Sequence, residues 1–180
     1  MPDLLTHYAV SYLISSRVAK AKQAAILALI GLIPDVDALF RIHRWVTHSL
    51  LLTAIISSIA ITIALRRGFK YTSYVTLIAL LYGLHIAMDV FVAPTPLLWP
   101  LTSQAYMIDI QISGTITEGG IGILANITAT TEPINFTQQP YVEGPIISTT
   151  GIIAAIAVTA ILAIEHLTHR LKAINSKKRY

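Results

Sequence analysis

The chain has 180 residues, 54% of them hydrophobic and 12% charged, with a mean hydropathy of +0.67. Soluble domains carry about 25% charged residues, so the default class is an integral membrane protein, of single-domain length. The net charge of +4 does not argue for nucleic acid, because the basic residues form short clusters between apolar runs. The lack of cysteine excludes thiol catalysis, disulfides and cysteine-ligated zinc.

The N-terminal "MPDLLTHYAV" lacks a basic region followed by an apolar core, so no cleavable signal peptide is expected. Two apolar segments follow, at about 7–19 and 21–33, joined through "RVAKAK". Each is shorter than the roughly 20 residues of a standard span. They read as a helical hairpin, either tilted, in locally thinned membrane, or packed against longer spans. Pro34 ends the second segment, since it biases Ile33 away from helical geometry and donates no backbone hydrogen bond. Residues 31–50, "GLIPDVDALFRIHRWVTHSL", then bring Asp35, Asp37, Arg41, His43, Arg44 and His48 together between lipid-grade runs.

Two full-length apolar runs come next, at about 48–65 and 71–92, and a shorter one lies at 151–167. Between them, "MIDIQISGTITEGGIGILANITATT" alternates apolar and polar residues at Ile108, Ile110 and Ile112 and reaches a glycine-rich turn, which is the pattern of a β-hairpin. The expected fold is an all-α membrane protein, a bundle of about five helices, with a small β-rich extracytoplasmic insertion between the fourth and fifth. Three parts follow: a membrane-embedded helical core at 1–102, the insertion at 103–150, and a terminal helix with a basic tail at 151–180.

Five alternating helices would place three basic clusters on one face: Arg17, Lys20 and Lys22; Arg66, Arg67 and Lys70; and the tail from Arg170 to Arg179. The positive-inside rule makes that face cytoplasmic. The expected location is the cell (plasma or inner) membrane, with the C-terminus cytoplasmic and residues 93–150 outside. The Asn-x-Thr triplets at Asn126 and Asn135 agree with an external insertion. Arg41 and Arg44 lie on the outer face, against the rule.

That outer end also collects His7, Asp35, Asp37, His43, His48, His85 and Asp89. His85 and Asp89 are spaced i,i+4 and share a helix face. Imidazole and carboxylate together suit zinc, manganese or iron, and several of each suit one or two ions that activate water against phosphoesters. His7, Asp35, Asp37, His48, His85 and Asp89 are the expected metal ligands. Asp37, His43 and Arg44 are the expected catalytic groups, with His43 a ligand or proton shuttle and Arg44 a bidentate clamp for a substrate phosphate. Arg41 is a weaker candidate for the clamp, and Thr47 and Ser49 are expected to orient His48. His166 and His169, beside Arg170, read as partners of a helix C-terminus and stand outside the site. A membrane lipid or lipid-linked phosphoester is the expected substrate, acted on by a hydrolase at the outer interface. The alternatives are a metal-binding or transport protein and a non-catalytic protein whose His/Asp cluster is structural. Nucleic acid is not an expected partner, and oligomeric state is left open.

The ordered motifs resemble the YdjM-like family of LexA-binding, inner-membrane proteins labelled metal-dependent hydrolases. The matching residues are Thr6-His7, Pro34-Asp35-Val36-Asp37, His43-Arg44-Trp45-Val46-Thr47-His48-Ser49, His85-x3-Asp89 and Trp99-Pro100, within about residues 1–102. The resemblance implies a His/Asp metal centre like those of zinc phospholipase C and single-strand nucleases. Trp45 stands where the family usually has glycine, and Val92 and Thr95 stand where it commonly has threonine and then glycine.

Overall fold

The structure, a computed structural model, describes residues 3–42, 44–117, 120–142 and 144–177. Its elements in order are α1 (Leu4–Ser15), α2 (Ala21–Ala28), 3₁₀ turns at Leu29–Leu32, Pro34–Phe40 and Val46–His48, α3 (Leu50–Leu65), α4 (Phe69–Asp89), the strands β1 (Gln104–Thr117) and β2 (Gly120–Pro133), and α5 (Thr149–Lys177). The chain divides into two compact units, Ile30–Gly144 and Pro2–Leu29 with Pro145–Tyr180.

The expectation of an all-α, five-helix bundle is overturned. The chain is mixed, with a two-stranded antiparallel sheet of two 14-residue strands. Among the described residues only Phe69–Asp89 and Thr149–Lys172 are single helices long and apolar enough to cross a bilayer. The reason is length. At 1.5 Å per residue, the 12 residues of α1 and 8 of α2 reach only about 18 and 12 Å, against a hydrocarbon core of about 30 Å. The 16 residues of α3 reach about 24 Å on the same scale. A third crossing exists only if Ala21–Leu32 and Pro34–Phe40 count as one broken span.

In the unit that holds the termini, α1 packs on α2 and α5. Asp3 caps α1, its Oδ1 accepting from the Thr6 amide and hydroxyl at 2.6 Å each. Its second oxygen accepts from the Ser148 amide, which ties the start of α1 to the start of α5. A Cβ at Gly151 would fall on the Asp3 carboxylate, so a larger residue there would have to displace that side chain. Burial disfavours the Asp3 anion, but the hydrogen bonds from Ser148 and Thr6 outweigh it and pull the carboxyl down to about 2. Small residues, Ser11, Ser15, Ala24 and Ala28, are buried in this unit, and such residues let membrane helices approach closely.

In the other unit, α3 and α4 form a helical hairpin closed at Gly68, whose φ of 110° favours glycine. Serine caps α3, with Ser49 Oγ accepting from the Leu52 amide at 3.2 Å. The outer surfaces are apolar, with Ile56, Ile59 and Ile63 all more than half exposed. The fully buried interior, by contrast, includes Asp37, His48, Ser49, His85, Asp89 and Thr95. An apolar exterior around polar groups is what a lipid solvent selects. The base of the sheet is held by Thr95 and Tyr106, which exchange both backbone hydrogen bonds at 2.9 and 2.8 Å. Its register pairs Ile110 with Ile127 and Ile116 with Ile121 on one face, and Gln111 with Asn126 on the other.

Candidate metal centre

Four side chains from three segments converge in this unit. Asp35 comes from the 3₁₀ turn Pro34–Phe40, His48 from the turn Val46–His48, and His85 and Asp89 from the last turns of α4. One ligand atom from each lies within 4.8 Å of all the others. His48, His85 and Asp89 are buried, and the Asp35 side chain is 9% exposed.

The two imidazoles are oriented from behind. His85 Nδ1 lies 2.6 Å from the Gly31 carbonyl oxygen; a carbonyl only accepts, so the Nδ1 proton is committed there and Nε2 presents its lone pair inward. His48 Nδ1 lies 2.9 Å from Asp37 Oδ2, which fixes the same tautomer of its neutral ring. The two Nε2 atoms then face each other at 3.4 Å. Around them, His48 Nε2 is 3.3 Å from Asp89 Oδ2 and 3.7 Å from Asp35 Oδ1. His85 Nε2 is 3.5 Å from Asp35 Oδ1 and 3.8 Å from Asp89 Oδ2. A tetrahedral ion with bonds of about 2.0–2.2 Å sets its donors about 3.4 Å apart, which is the scale of these separations. Both Asp35 oxygens are buried with no hydrogen-bond partner among the described residues. The donor set, its spacing and those orphaned oxygens therefore fit a divalent ion.

The carboxylates around His48 favour its protonated form. Burial works against a charged His48, but the carboxylates of Asp35, Asp37 and Asp89 around its ring overcome it and push its pKa up to about 10. A proton on His48 and a metal ion thus compete for one negative pocket.

Asp37 plays a different part from Asp35. Its Oδ2 accepts from the Trp45 amide at 2.7 Å and the Thr47 hydroxyl at 3.0 Å, besides facing His48 Nδ1. It is a carboxylate behind one of the grouped histidines, an arrangement that at a metal site orients the ring and raises its basicity. Thr47 shares in this, with its Oγ1 3.3 Å from His48 Nδ1. Ser49 does not; its hydroxyl donates to the Trp99 carbonyl at 2.6 Å and serves the start of α3.

Arg44 is buried, with Nε donating to Asp89 Oδ2 at 3.3 Å. Its φ of 53° is in the left-handed region, so a strained backbone turn aims this guanidinium at the cluster edge. Arg41 is exposed, and its carbonyl accepts from the Gln139 amide at 2.8 Å. His7 is buried on α1 and belongs to the unit that holds the termini; it is not among the four grouped residues. His43 lies outside the described residues. Trp45 has φ −78° and ψ −159°, ordinary extended backbone, and its ring packs 6.1 Å from Phe40. Nothing in that conformation requires glycine.

Sequence reasoning missed the Gly31 carbonyl, which carries no side-chain signature. The available signal was its position among the last carbonyls of a helix that Pro34 cuts short, since such carbonyls lack intrahelical partners.

A family model described as YdjM inner membrane protein matches residues 1–167. No curated protein and no solved structure matches the chain.

Proposed function

The chain belongs to the YdjM inner membrane protein family, and on that premise we propose that it is a metal-dependent hydrolase acting on a phosphoester at the bilayer surface. One observation carries the reading. Two imidazole Nε2 atoms and two carboxylates, from Asp35, His48, His85 and Asp89, meet within 4.8 Å, while the opposite ring nitrogens face Asp37 and the Gly31 carbonyl. These four residues would hold a divalent ion, with zinc first and manganese or iron as alternatives. When bound, such an ion supplies Lewis-acid polarisation of a phosphoryl group and a more acidic water.

The remaining roles belong to the chain's own residues. Asp37 holds the His48 ring in one tautomer. Arg44 restrains Asp89 and contributes a positive charge beside the cluster, which suits a phosphate oxyanion. The apolar flanks of α3 and α4 make a lipid phosphoester the natural substrate class. Basic residues around the junctions of α1 with α2 and of α3 with α4, and in the last turns of α5, support a cytoplasmic C-terminus with residues 93–150 outside, and therefore a site at the outer interface.

The test is a hydrolysis screen on phospholipids, lipid phosphates and lipid-linked diphosphates with purified protein, with and without chelator. The expected result is turnover that chelator abolishes and that His48→Ala loses while remaining folded. Absence of chelator-sensitive turnover on every phosphoester would contradict the proposal. An unfolded His48→Ala together with silent wild type would favour a structural cluster.

A further inference from the structure

Beside the candidate metal centre, the packing of α3 against α4 leaves an apolar groove of about 370 Å³, open on one side where Ile56 and Ile78 are exposed. That lies within the roughly 300–1,000 Å³ typical of small-ligand sites. Its walls come from Leu52 and Ile56 on α3 and from Val75, Ile78 and Tyr82 on α4, and one end is formed by Val46 and Thr47. The lining contains no charged residue.

Two features connect this groove to the cluster. Thr47 lines the groove and also donates its hydroxyl to Asp37 Oδ2, directly before His48. Tyr82, on the opposite wall, donates its hydroxyl to the Thr47 carbonyl at 2.8 Å, so its polar end is used at the mouth and its ring faces the apolar space. The other hydroxyl on the α3 wall near the mouth, Thr53, is satisfied by the Ser49 carbonyl at 2.8 Å. The polar atoms at the mouth are thus turned to backbone or to Asp37, and beyond them the lining is hydrocarbon apart from the Ser57 hydroxyl. Away from the mouth, the side chains that hold it open are small: Ser57 and Ala60 on α3 and Ala79 on α4.

We propose that this groove is the binding site for one hydrocarbon chain of a lipid phosphoester, seated so that the phosphate end emerges at Thr47 beside His48. The proposal rests on the phosphoesterase reading of the cluster and adds the substrate's chain to it. Lipid tails are as apolar as leucine, so bilayer burial alone gives the chain little preference for the groove. Its effect is positional: a held chain presents its phosphoester to the cluster, turning remote contact into orientation at the reacting bond.

The experiment uses full-length protein in lipid nanodiscs and a hexadecyl phosphate carrying a diazirine near the middle of its chain. After illumination, peptide mapping is expected to find label on α3 and α4 around Ile56 and Ile78, reduced by excess unlabelled hexadecyl phosphate. Ala79→Phe, which fills the groove away from the cluster, is expected to lower that labelling at least fivefold. The same variant should lower turnover of hexadecyl phosphate while sparing butyl phosphate and metal content. Label spread evenly over lipid-facing helices and unaffected by Ala79→Phe would overturn the proposal. The two readings fail separately. Wild type that hydrolyses both phosphates equally, with Ala79→Phe unchanged, removes the chain site and leaves the hydrolase; specific labelling without any turnover keeps the chain site and removes the hydrolase.

Discussion

At the residue scale, the informative contrast is between Asp35 and Asp37. From the sequence they are two equivalent acids in one Pro-Asp-Val-Asp motif. In a 3₁₀ turn with about three residues per turn, positions i and i+2 diverge by about 120°, so both cannot serve one point. Asp35 faces the two Nε2 atoms, and Asp37 sits behind His48. Their substitutions should therefore differ. Asp35→Ala is expected to abolish metal binding, whereas Asp37→Ala should weaken it about 10- to 100-fold, the usual effect of losing a group that orients a ligand. Titration of chelator-stripped protein with zinc checks this, and equal losses would argue that both acids are ligands. Trp45→Gly should leave metal affinity within about twofold of wild type, because the backbone at 45 is extended and ordinary for any residue. A large loss would show that the indole ring itself supports the site. His48, His85 and Asp89 were legible as chemistry because each interrupts or ends an apolar run. The partition of roles was not, because it depends on the 3₁₀ geometry and on a backbone carbonyl at Gly31.

At the scale of elements, the apolar runs were readable and their lengths were not. The run at 21–33 ends as an α-helix at Ala28 and continues as 3₁₀ turn, and the run at 151–167 belongs to a helix of 29 residues. Apolar composition marks what lipid tolerates, while helix ends are set by caps and breakers such as Asp3, Ser49 and Pro34. Likewise the alternation at Ile108–Ile112 marks a strand, but two strands of 14 residues depend on pairing across the turn. The junction of α1 with α5 gives the element-scale prediction. Asp3→Ala removes the α1 cap and the Ser148 contact, and should cost about 0.5–2 kcal/mol for the cap alone. Gly151→Val should also destabilise this unit, since its side chain would meet the Asp3 carboxylate. The sign of the pH dependence follows from the depressed carboxyl. With a folded pKa of about 2 against an ordinary 3.8, the Asp3 contribution is full above about pH 4 and is lost as pH falls toward about 2. Thermal melts in detergent should show this acid-dependent component in wild type and its absence in Asp3→Ala.

For the whole molecule, the two lines of sequence reasoning met different fates. Composition identified a membrane protein, and the family match and the two long apolar helices agree with that. Counting spans failed, because short helices and a long hairpin share the composition of a helical bundle. The natural absence of cysteine makes orientation straightforward to test with single substitutions. Ser113→Cys on β1 should react with a membrane-impermeant maleimide on intact cells, and Thr168→Cys near the end of α5 only after permeabilisation. The reverse pattern would place the site at the inner interface and move the substrate to that leaflet.

The central claim is that Asp35, His48, His85 and Asp89 form a metal centre, and the most direct measurement is metal content. Elemental mass spectrometry on full-length protein purified in detergent without chelator is expected to find about one zinc, manganese or iron per chain. The His48→Ala/His85→Ala variant should keep its helical content and carry none. Wild-type protein that is folded, contains no such ion and takes none up on addition would contradict the account.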